Sequence, residues 1–177
     1  MVAENTDGLD KKNFDLSSTD EVNHRGILIS GLNALEQNHG LSRENIFLLI
    51  DQLPEHFADF THLGQIIFEP ETHYMIQRDG ELMLAKESNV LATDKITRMV
   101  RGQTIWNSKL VNGDRLPSDG KQTITIYSAK NRTDEKPADV ILYSTAHELG
   151  HTAYNAVDPN QGPAFWEYLD SANNTNQ

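Results

Sequence analysis

Residues 137–155 read PADVILYSTAHELGHTAYN, and the spacing of apolar residues in this stretch is typical of a helix. Pro137 suits the first turn of a helix, because the N–H that proline lacks has no partner there. We therefore predict a helix from about Ala138 to about Asn155. One side of this helix carries an apolar stripe that faces the core, formed by Leu142, Leu149, Ala153 and Ala156. Another side collects Val140, Ser144, His147, His151 and Tyr154.

Within this helix, His147, Glu148 and His151 form an HExxH pattern. Residues four apart lie one turn apart on the same helix face, so both imidazoles can reach one Zn²⁺ at about 2.0–2.1 Å each. Glu148 lies about 100° around the axis, where it can deprotonate a water at the metal without being a ligand itself. A chain of this composition contains the pattern by chance only about 0.02 times. The pattern predicts a zinc site with Glu148 as the catalytic base.

The stretch Ala146–His151 resembles the zinc-binding helix of the zincin metallopeptidases. It is particularly similar to bacterial gluzincin-like domains and to effector-type metallopeptidases. The resemblance implies a zincin-like single domain, bound zinc, and hydrolysis of a protein or peptide substrate, in a bacterial effector or toxin. In zincins a sheet precedes the active helix and its edge strand receives the substrate in extended form. By chain order, Thr123–Tyr127 would be that edge strand here.

The HExxH pattern leaves the third zinc ligand open. Metzincins place Gly three residues and His or Asp six residues after the second histidine, where this chain has Tyr154 and Val157. That subclass is therefore disfavoured. Glu167 lies on a predicted last helix, which a turn at 158–162 could bring back to the site, as in the gluzincin arrangement. Asp170, one turn later, could then orient a ligand imidazole.

Asp158 is the alternative third ligand. In a straight helix it would lie about 10 Å along the axis from His151, too far to share a metal ion with it. It could bind only if the helix breaks, and Asn155 tolerates the left-handed conformation that such a break needs. We predict Glu167 as the ligand and keep Asp158 as the alternative.

Outward from this helix, the pattern predicts helices first, then strands, then helices again. We predict helices at Gly26–Gln37, after Ser42 and up to Pro54, from Thr93 or Asp94 to Val100, and around Phe165–Leu169. We predict strands at Ile66–Phe68, His73–Gln77, Glu81–Ala85, Thr104–Trp106, Lys109–Val111 and Thr123–Tyr127, with turns at Asp79-Gly80 and Asn112-Gly113. This order indicates an α+β fold with a small mixed or antiparallel sheet, not alternating βαβ units.

The length and charge of the chain limit its organisation and its partners. With 177 residues the chain suits one domain, which we place at 21–170 between a flexible leader, 1–20, and a flexible tail, 171–177. The net charge of −11 repels phosphate backbones and therefore disfavours nucleic acid as a partner. No stretch approaches the roughly 20 apolar residues of a membrane span. We interpret the acidic surface mainly as solvation, with a basic substrate as an alternative.

The chain has no cysteine, which excludes disulfide scaffolds, thiol catalysis and Cys-type zinc sites. His, Asp and Glu remain as metal ligands. The acidic start of the chain lacks the apolar core of a Sec-type signal peptide. We therefore expect a soluble protein that is secreted or delivered to another cell by a non-Sec route, or cytoplasmic if it is not exported.

The leading functional hypothesis is a zinc-dependent metalloendopeptidase. Candidates to donate a hydrogen bond to the developing oxyanion are Tyr127, Tyr143, Tyr154 and Tyr168. The alternative is a catalytically inactive, zinc-stabilised binding or regulatory domain, although a purely structural zinc site needs no base such as Glu148. A hydrolase that acts on another bond through the same site is a third hypothesis.

Overall fold

The computed structural model describes residues 20–111, 114–129 and 136–157. Its strands are β1 (Glu21–His24), β2 (Ile27–Ser30), β3 (Leu63–Glu69), β4 (His73–Arg78), β5 (Glu81–Lys86), β6 (Lys95–Val100), β7 (Gly102–Val111) and β8 (Asp114–Tyr127). Its α-helices are α1 (Leu32–His39), α2 (Arg43–Asp51), α3 (Phe57–Thr61) and α4 (Pro137–Val157), and a 3₁₀ turn spans Glu87–Asn89. This mixture confirms the predicted α+β class. No helix in the described ranges is long and apolar enough to cross a membrane.

The larger sheet has the strand order β1-β2-β3-β8-β7. The three inner strands run parallel to one another, and the outer strands β1 and β7 are antiparallel to their neighbours. The connection from β2 to β3 contains α1, α2 and α3, as a parallel pair requires a crossover. The last helix, α4, packs on β7 and β8. The helices therefore cover the sheet, and α4 lies at the β7 end.

A row of buried isoleucines crosses the helix-covered face of this sheet. The register places Ile29 beside Ile66 and Ile66 beside Ile124, and all three side chains are fully buried. The row ends on β7 at Thr104, which lies beside Ile124. On β7, the strand on which α4 packs, the row therefore continues with the hydroxyl group of Thr104 in place of an apolar side chain.

The smaller sheet is antiparallel, with the order β5-β4-β6. The β4–β5 hairpin turns at Asp79 and Gly80, whose φ angles of 52° and 87° are those of a two-residue hairpin turn with both φ angles positive. The predicted turn is therefore confirmed. At the other end of β4, the His73 ring packs on Tyr127 of β8, with 4.0 Å between the ring centroids. This contact brings the small sheet to the end of the larger one.

The predicted helix at Gly26–Gln37 is wrong in its first part. Ile27–Ser30 is a strand, and the helix begins only at Leu32. Burial in this strand alternates with period two. The sequence does not reveal this alternation, because a short run of apolar residues fits a buried strand as well as one face of a helix. Gly31 separates the strand from the helix with a φ of 83°, and a Cβ there would lie 2.0 Å from the carbonyl oxygen of Phe68.

The predicted helix at 93–100 is also wrong, because Lys95–Val100 forms strand β6. Asp94 does not cap a helix here. Its carboxylate accepts hydrogen bonds from Arg78 of β4 at 2.6 and 2.8 Å and from the Leu91 N–H at 2.7 Å. With this strand the chain forms two sheets instead of the single small sheet that we predicted.

The remaining predicted elements divide into confirmed ones and ones outside the described residues. The other predicted strands lie within β3, β4, β5, β7 and β8, the helix after Ser42 is α2, and the predicted HExxH helix is α4. The turn at 112–113, the last helix around 165–169, the tail at 171–177 and all but the last residue of the leader lie outside the described residues.

Candidate metal site

The buried side of α4 is more polar than the predicted stripe. Its buried residues are Val140, Ile141, Ser144, Thr145, Glu148, Leu149 and Thr152. Of the predicted stripe only Leu149 is buried, whereas Val140 and Ser144, predicted for the other side, face inward. Thr145 and Thr152 fit the interior because their hydroxyls donate to helix carbonyls, of Ile141 at 2.8 Å and Leu149 at 2.7 Å. Because such local hydrogen bonds allow threonine to be buried, the hydropathy pattern alone did not predict these residues on the buried side.

Gln122 of β8 fixes the end of α4. Its side chain is fully buried, and its Nε2 donates to the carbonyls of Thr61 at 2.7 Å and Thr152 at 3.0 Å. Its Oε1 accepts from Asn155 Nδ2 at 3.0 Å. One amide therefore joins α3, β8 and α4, and both polar atoms of this buried Gln122 side chain have hydrogen-bond partners.

The imidazoles of His147 and His151 converge on one point at the surface of α4. Their Nε2 atoms lie 3.0 Å apart, and the rings meet edge to face at a centroid distance of 4.6 Å. Two nitrogens bound at about 2.05 Å to a tetrahedral metal would be about 3.3 Å apart. A carboxylate oxygen of Glu148 lies within 4.8 Å of both imidazole nitrogens. The three side chains could hold a metal ion.

Glu148 differs from the histidines in being buried, with 6% of its surface exposed. Its Oε2 accepts a hydrogen bond of 2.7 Å from the hydroxyl of Thr104 on β7. Among the described residues no basic side chain forms an ion pair with it. A buried carboxylate without a cation is costly, and a metal ion at the adjacent imidazoles would offset that cost.

Gly102 makes the room that Glu148 occupies. A Cβ atom at this position would lie 2.9 Å from Cγ and 3.1 Å from Oε1 of Glu148. Gly102 and Thr104 are two apart on β7 and so face α4 together. The strand thus provides a gap for the glutamate side chain and a hydroxyl that orients its carboxylate.

The edge strand beside α4 is β7, so the prediction that Thr123–Tyr127 forms the edge is wrong. Those residues belong to β8, which lies between β3 and β7. The Tyr127 N–H donates to the Arg101 carbonyl at 2.9 Å, and Gly102 is the next residue along the ladder. Because hydrogen-bonded and non-hydrogen-bonded pairs alternate, the backbone groups of Gly102 and Thr104 point to the open side of β7.

A cavity of about 400 Å³ lies between α4 and the end of the small sheet. The residues that line it include Arg98, Arg101, Gly102, Tyr143, Ser144 and the three side chains of the candidate site. A second cavity of about 530 Å³ adjoins it, since Arg101 and Tyr143 line both. The candidate site therefore opens into a cleft that is large enough for several atoms of a substrate.

Among the four candidate tyrosines, the structure brings Tyr143 to the site. Its ring lies near parallel to that of His147, with 6.2 Å between centroids, and 63% of its surface is exposed. Tyr127 is buried against His73, and its burial, with the charges of Glu69 and Glu148, raises its pKa to about 12. Tyr154 does not line the cavity, and position 168 lies outside the described residues.

The predicted third ligands, Glu167 and Asp158, lie outside the described residues, as does Asp170. Helix α4 continues through Asn155 to Val157, so the break at Asn155 that would favour Asp158 is absent. Within the described ranges, His147, Glu148 and His151 are the sole group of three or more possible ligands. No described residue hydrogen-bonds the Nδ1 of either imidazole. Both the third ligand and the partner that would orient an imidazole therefore remain predictions.

Thr104, Gly102, Arg98 and Arg101 were not among the candidates from the sequence. They lie more than 40 residues before Glu148 in the chain, and nothing in their local pattern marks them. A strand residue becomes part of the site only through the packing of α4 on β7. The sequence did give a signal for β7 itself, because two predicted strands, Thr104–Trp106 and Lys109–Val111, lie within it.

A scan against protein-family models and searches of curated proteins and of solved structures each returned no match. No relative therefore assigns a family or an activity to this chain.

Proposed function

We propose that this protein is a zinc-dependent endopeptidase whose catalytic base is Glu148. One observation carries the proposal: a buried carboxylate, oriented by Thr104, lies within 4.8 Å of two imidazole nitrogens that converge at 3.0 Å. Neutral imidazole suits zinc, and a carboxylate beside the metal suits the deprotonation of water. The exposed imidazoles face the cleft, so a substrate could approach them.

Each side chain of the site would have a separate role in peptide hydrolysis. His147 and His151 would hold the metal, with Glu167 or Asp158 as the third ligand. When bound, zinc polarises the scissile carbonyl and makes an attacking water easier to deprotonate. Glu148 takes the proton of that water and delivers it to the leaving amine. The hydroxyl of Thr104 keeps the carboxylate in place during both transfers.

The open side of β7 supports a peptide as the substrate. The backbone groups of Gly102 and Thr104 point outward next to Glu148, and an extended peptide can pair with such an edge. Antiparallel pairing is the more stable arrangement. A substrate paired in this way would present its backbone carbonyl beside the imidazoles. Tyr143, at the rim of the cleft, could donate its phenol hydrogen to the developing oxyanion.

The alternative, an inactive zinc-stabilised domain, has less support. A structural zinc site is closed by four protein ligands, whereas a catalytic site keeps an open position. Here both imidazoles are exposed and border a cavity of about 400 Å³. A buried glutamate beside the metal position has no role in a closed site.

The test compares zinc content and peptide hydrolysis in the full chain. Zinc-replete wild type should contain about one zinc per chain and cleave members of a degenerate peptide library. A chelator should abolish cleavage, and added zinc should restore it. The double variant His147→Ala/His151→Ala should lose both zinc and cleavage, because both nitrogens of the convergent pair are gone.

His56→Ala is the matched control, since His56 is an exposed histidine far from α4 in the chain. It should keep zinc and activity. Stoichiometric zinc in the double variant would contradict the metal site. Zinc-loaded wild type that cleaves no peptide or protein would favour the binding domain over the enzyme.

A further inference from the structure

The charge of the cleft is opposite to that of the whole chain. The net charge is −11, with 26 acidic and 15 basic residues. Yet the basic residues Arg98, Arg101 and Lys136 line the two adjoining cavities, against the acidic residues Glu148 and Asp139. One of these two acids is the proposed base. A bound metal ion would add further positive charge, so the cleft attracts anions even though the chain as a whole repels them.

A bulge in the small sheet directs Arg98 to this cleft. The pairing of β6 with β4 skips Thr97, so that Arg98 lies opposite Met75. Residues two apart share a face, which puts Arg98 on the face of the sheet that carries His73. That face meets Tyr127 of β8, with the His73 ring 4.0 Å away. Bulges re-aim side chains in this way and are frequent beside active sites.

Arg98 and Lys136 are available to a ligand. Within the described part of the chain, neither residue forms an ion pair or a side-chain hydrogen bond. Ser144 adds a neutral donor to the same cleft. Its side chain is 3% exposed, and its hydroxyl has no hydrogen-bond partner among the described residues. A buried hydroxyl without a partner is costly, and a substrate group in the cleft could supply that partner.

We propose that this cleft selects peptides with a carboxylate on the C-terminal side of the cleaved bond, bound by Arg98 and Lys136. The proposal rests on the proposed peptidase function. The carboxylate can belong to an Asp or Glu side chain or to the C-terminus of the peptide. Charged hydrogen bonds from guanidinium and ammonium groups are the strong ones, so one such group can determine which peptide is cleaved.

The direction of β7 determines the side of the bond. A peptide paired antiparallel to β7 runs from Thr104 toward Gly102, so its C-terminal part extends toward the beginning of the strand. Arg98 and Arg101 precede that beginning in the chain, and both line the cavity. Lys136 directly precedes the first residue of α4, and together with Tyr143 it lines the second cavity. The basic groups therefore face the residues that follow the cleaved bond.

The experiment uses zinc-loaded full-length protein and a library of degenerate peptides with amidated C-termini. Cleavage sites should be enriched in Asp and Glu among the first three residues after the bond. In matched peptides, Glu should be preferred over Gln by about tenfold in kcat/KM. The preference should fall to about twofold or less in Arg98→Gln/Lys136→Gln. Peptides with a free and an amidated C-terminus distinguish the two sources of the carboxylate.

Lys95→Gln/Lys121→Gln is the matched control, because it also removes two positive charges, at exposed residues that line neither cavity. It should keep the preference. Peptide cleavage by wild type without a preference for acidic residues would overturn the inference and leave the proposed function standing. Equal loss of preference in Lys95→Gln/Lys121→Gln would also overturn it, because only the net charge would then matter.

A second readout does not depend on turnover. A peptide hydroxamate with Glu and its counterpart with Gln, both binding zinc through the hydroxamate, are titrated against wild type and Arg98→Gln/Lys136→Gln. Wild type should bind the Glu compound about tenfold more tightly, and the variant should bind both alike. If wild type cleaves nothing, equal binding of the two compounds overturns the inference, and tighter binding of the Glu compound supports it for a binding site.

Discussion

At the scale of single residues, the position of Glu148 depends on a residue without a side chain. Gly102 leaves the space into which the glutamate side chain extends, with only 2.9 Å between a hypothetical Cβ and Cγ of Glu148. Thr104 then holds the carboxylate through a 2.7 Å hydrogen bond. Glu148 is therefore buried and oriented by an edge strand, whereas the two histidines beside it stay exposed.

Gly102→Ala tests this dependence. The added methyl group should displace the Glu148 side chain and lower kcat by about tenfold to a hundredfold, since a shift of about 1 Å in a catalytic group can cost that much. The free energy of unfolding should change by less than about 1 kcal/mol, because the atoms in the way belong to a side chain that can move. Kinetics on a cleaved peptide and urea unfolding measure the two effects.

Gly64→Ala is the control for Gly102→Ala. Its Cβ would lie 2.8 Å from Cδ of Lys121, so it too pushes on a side chain over the same sheet, but on one that lines neither cavity. It should leave kcat unchanged. Wild-type kcat in Gly102→Ala would show that the base does not depend on this gap.

The identity of the third zinc ligand can be tested by two single substitutions. Glu167→Ala should weaken zinc binding by more than the 10- to 100-fold that is typical for the loss of a residue that only orients a ligand. Asp158→Ala should have a small effect. Competition with a chelator of known affinity measures both. Release of the metal by Asp158→Ala, with binding unchanged in Glu167→Ala, would reverse our order of preference.

At the scale of elements, the segment before β6 is fixed by an ion pair. Arg78 of β4 donates to both carboxylate oxygens of Asp94, at 2.8 Å from Nε and 2.6 Å from Nη2. These bonds from Arg78, against the opposing effect of burial and with help from the Leu91 N–H, lower the pKa of Asp94 to about 2. The pair joins the loop after β5 to the sheet that carries Arg98.

This ion pair should make part of the stability depend on pH. Because the pKa of Asp94 is lower in the folded protein than its ordinary value of 3.8, the pair stabilises the fold above about pH 4. That stabilisation is lost as the pH falls from about 4 toward 2. Asp94→Asn should lower Tm at pH 7, and the difference from wild type should shrink on acidification. Thermal unfolding at a series of pH values measures it.

Asp59→Asn, at an exposed position of α3, controls for the removal of one negative charge. It should leave Tm at pH 7 close to that of wild type. A Tm difference between wild type and Asp94→Asn that is the same at pH 7 and pH 3 would contradict the assigned role of Arg78.

For the molecule as a whole, the sequence correctly predicted the structural features that depend on residues close to one another in the chain. The helix at Pro137–Val157, the hairpin at Asp79-Gly80 and the pair of histidines one helical turn apart all follow from local spacing. The α+β order of elements follows as well. In each case the residues that decide the structure lie within a few positions of one another.

The predictions that failed depended on contacts between distant segments. The residues of β2 are apolar enough for a helix face, and only pairing with β1 and β3 makes them a strand. Likewise β7 is the edge because of a strand order that chain order does not reveal. The positions of Thr104 and Arg98 in the site follow from sheet register and from a bulge, neither of which has a local signature.

Glu148→Gln tests whether Glu148 acts as a base beside a zinc ion. Glutamine keeps the size of the side chain and can accept the hydrogen bond from Thr104, but it cannot take a proton from water. Zinc content, measured in the same samples, should equal that of wild type. Hydrolysis should fall at least about 100-fold, the lower end of what a positioned general base contributes. Glu55→Gln, in an exposed loop, should match wild type in both respects.

Two results of this measurement would contradict the proposed role of Glu148. Equal hydrolysis by wild type and Glu148→Gln, at equal zinc content, would show that Glu148 is not the base. Loss of zinc together with activity would show that Glu148 is a metal ligand, as its position within 4.8 Å of both imidazole nitrogens also allows. We expect neither result: zinc stays bound in Glu148→Gln and hydrolysis is lost.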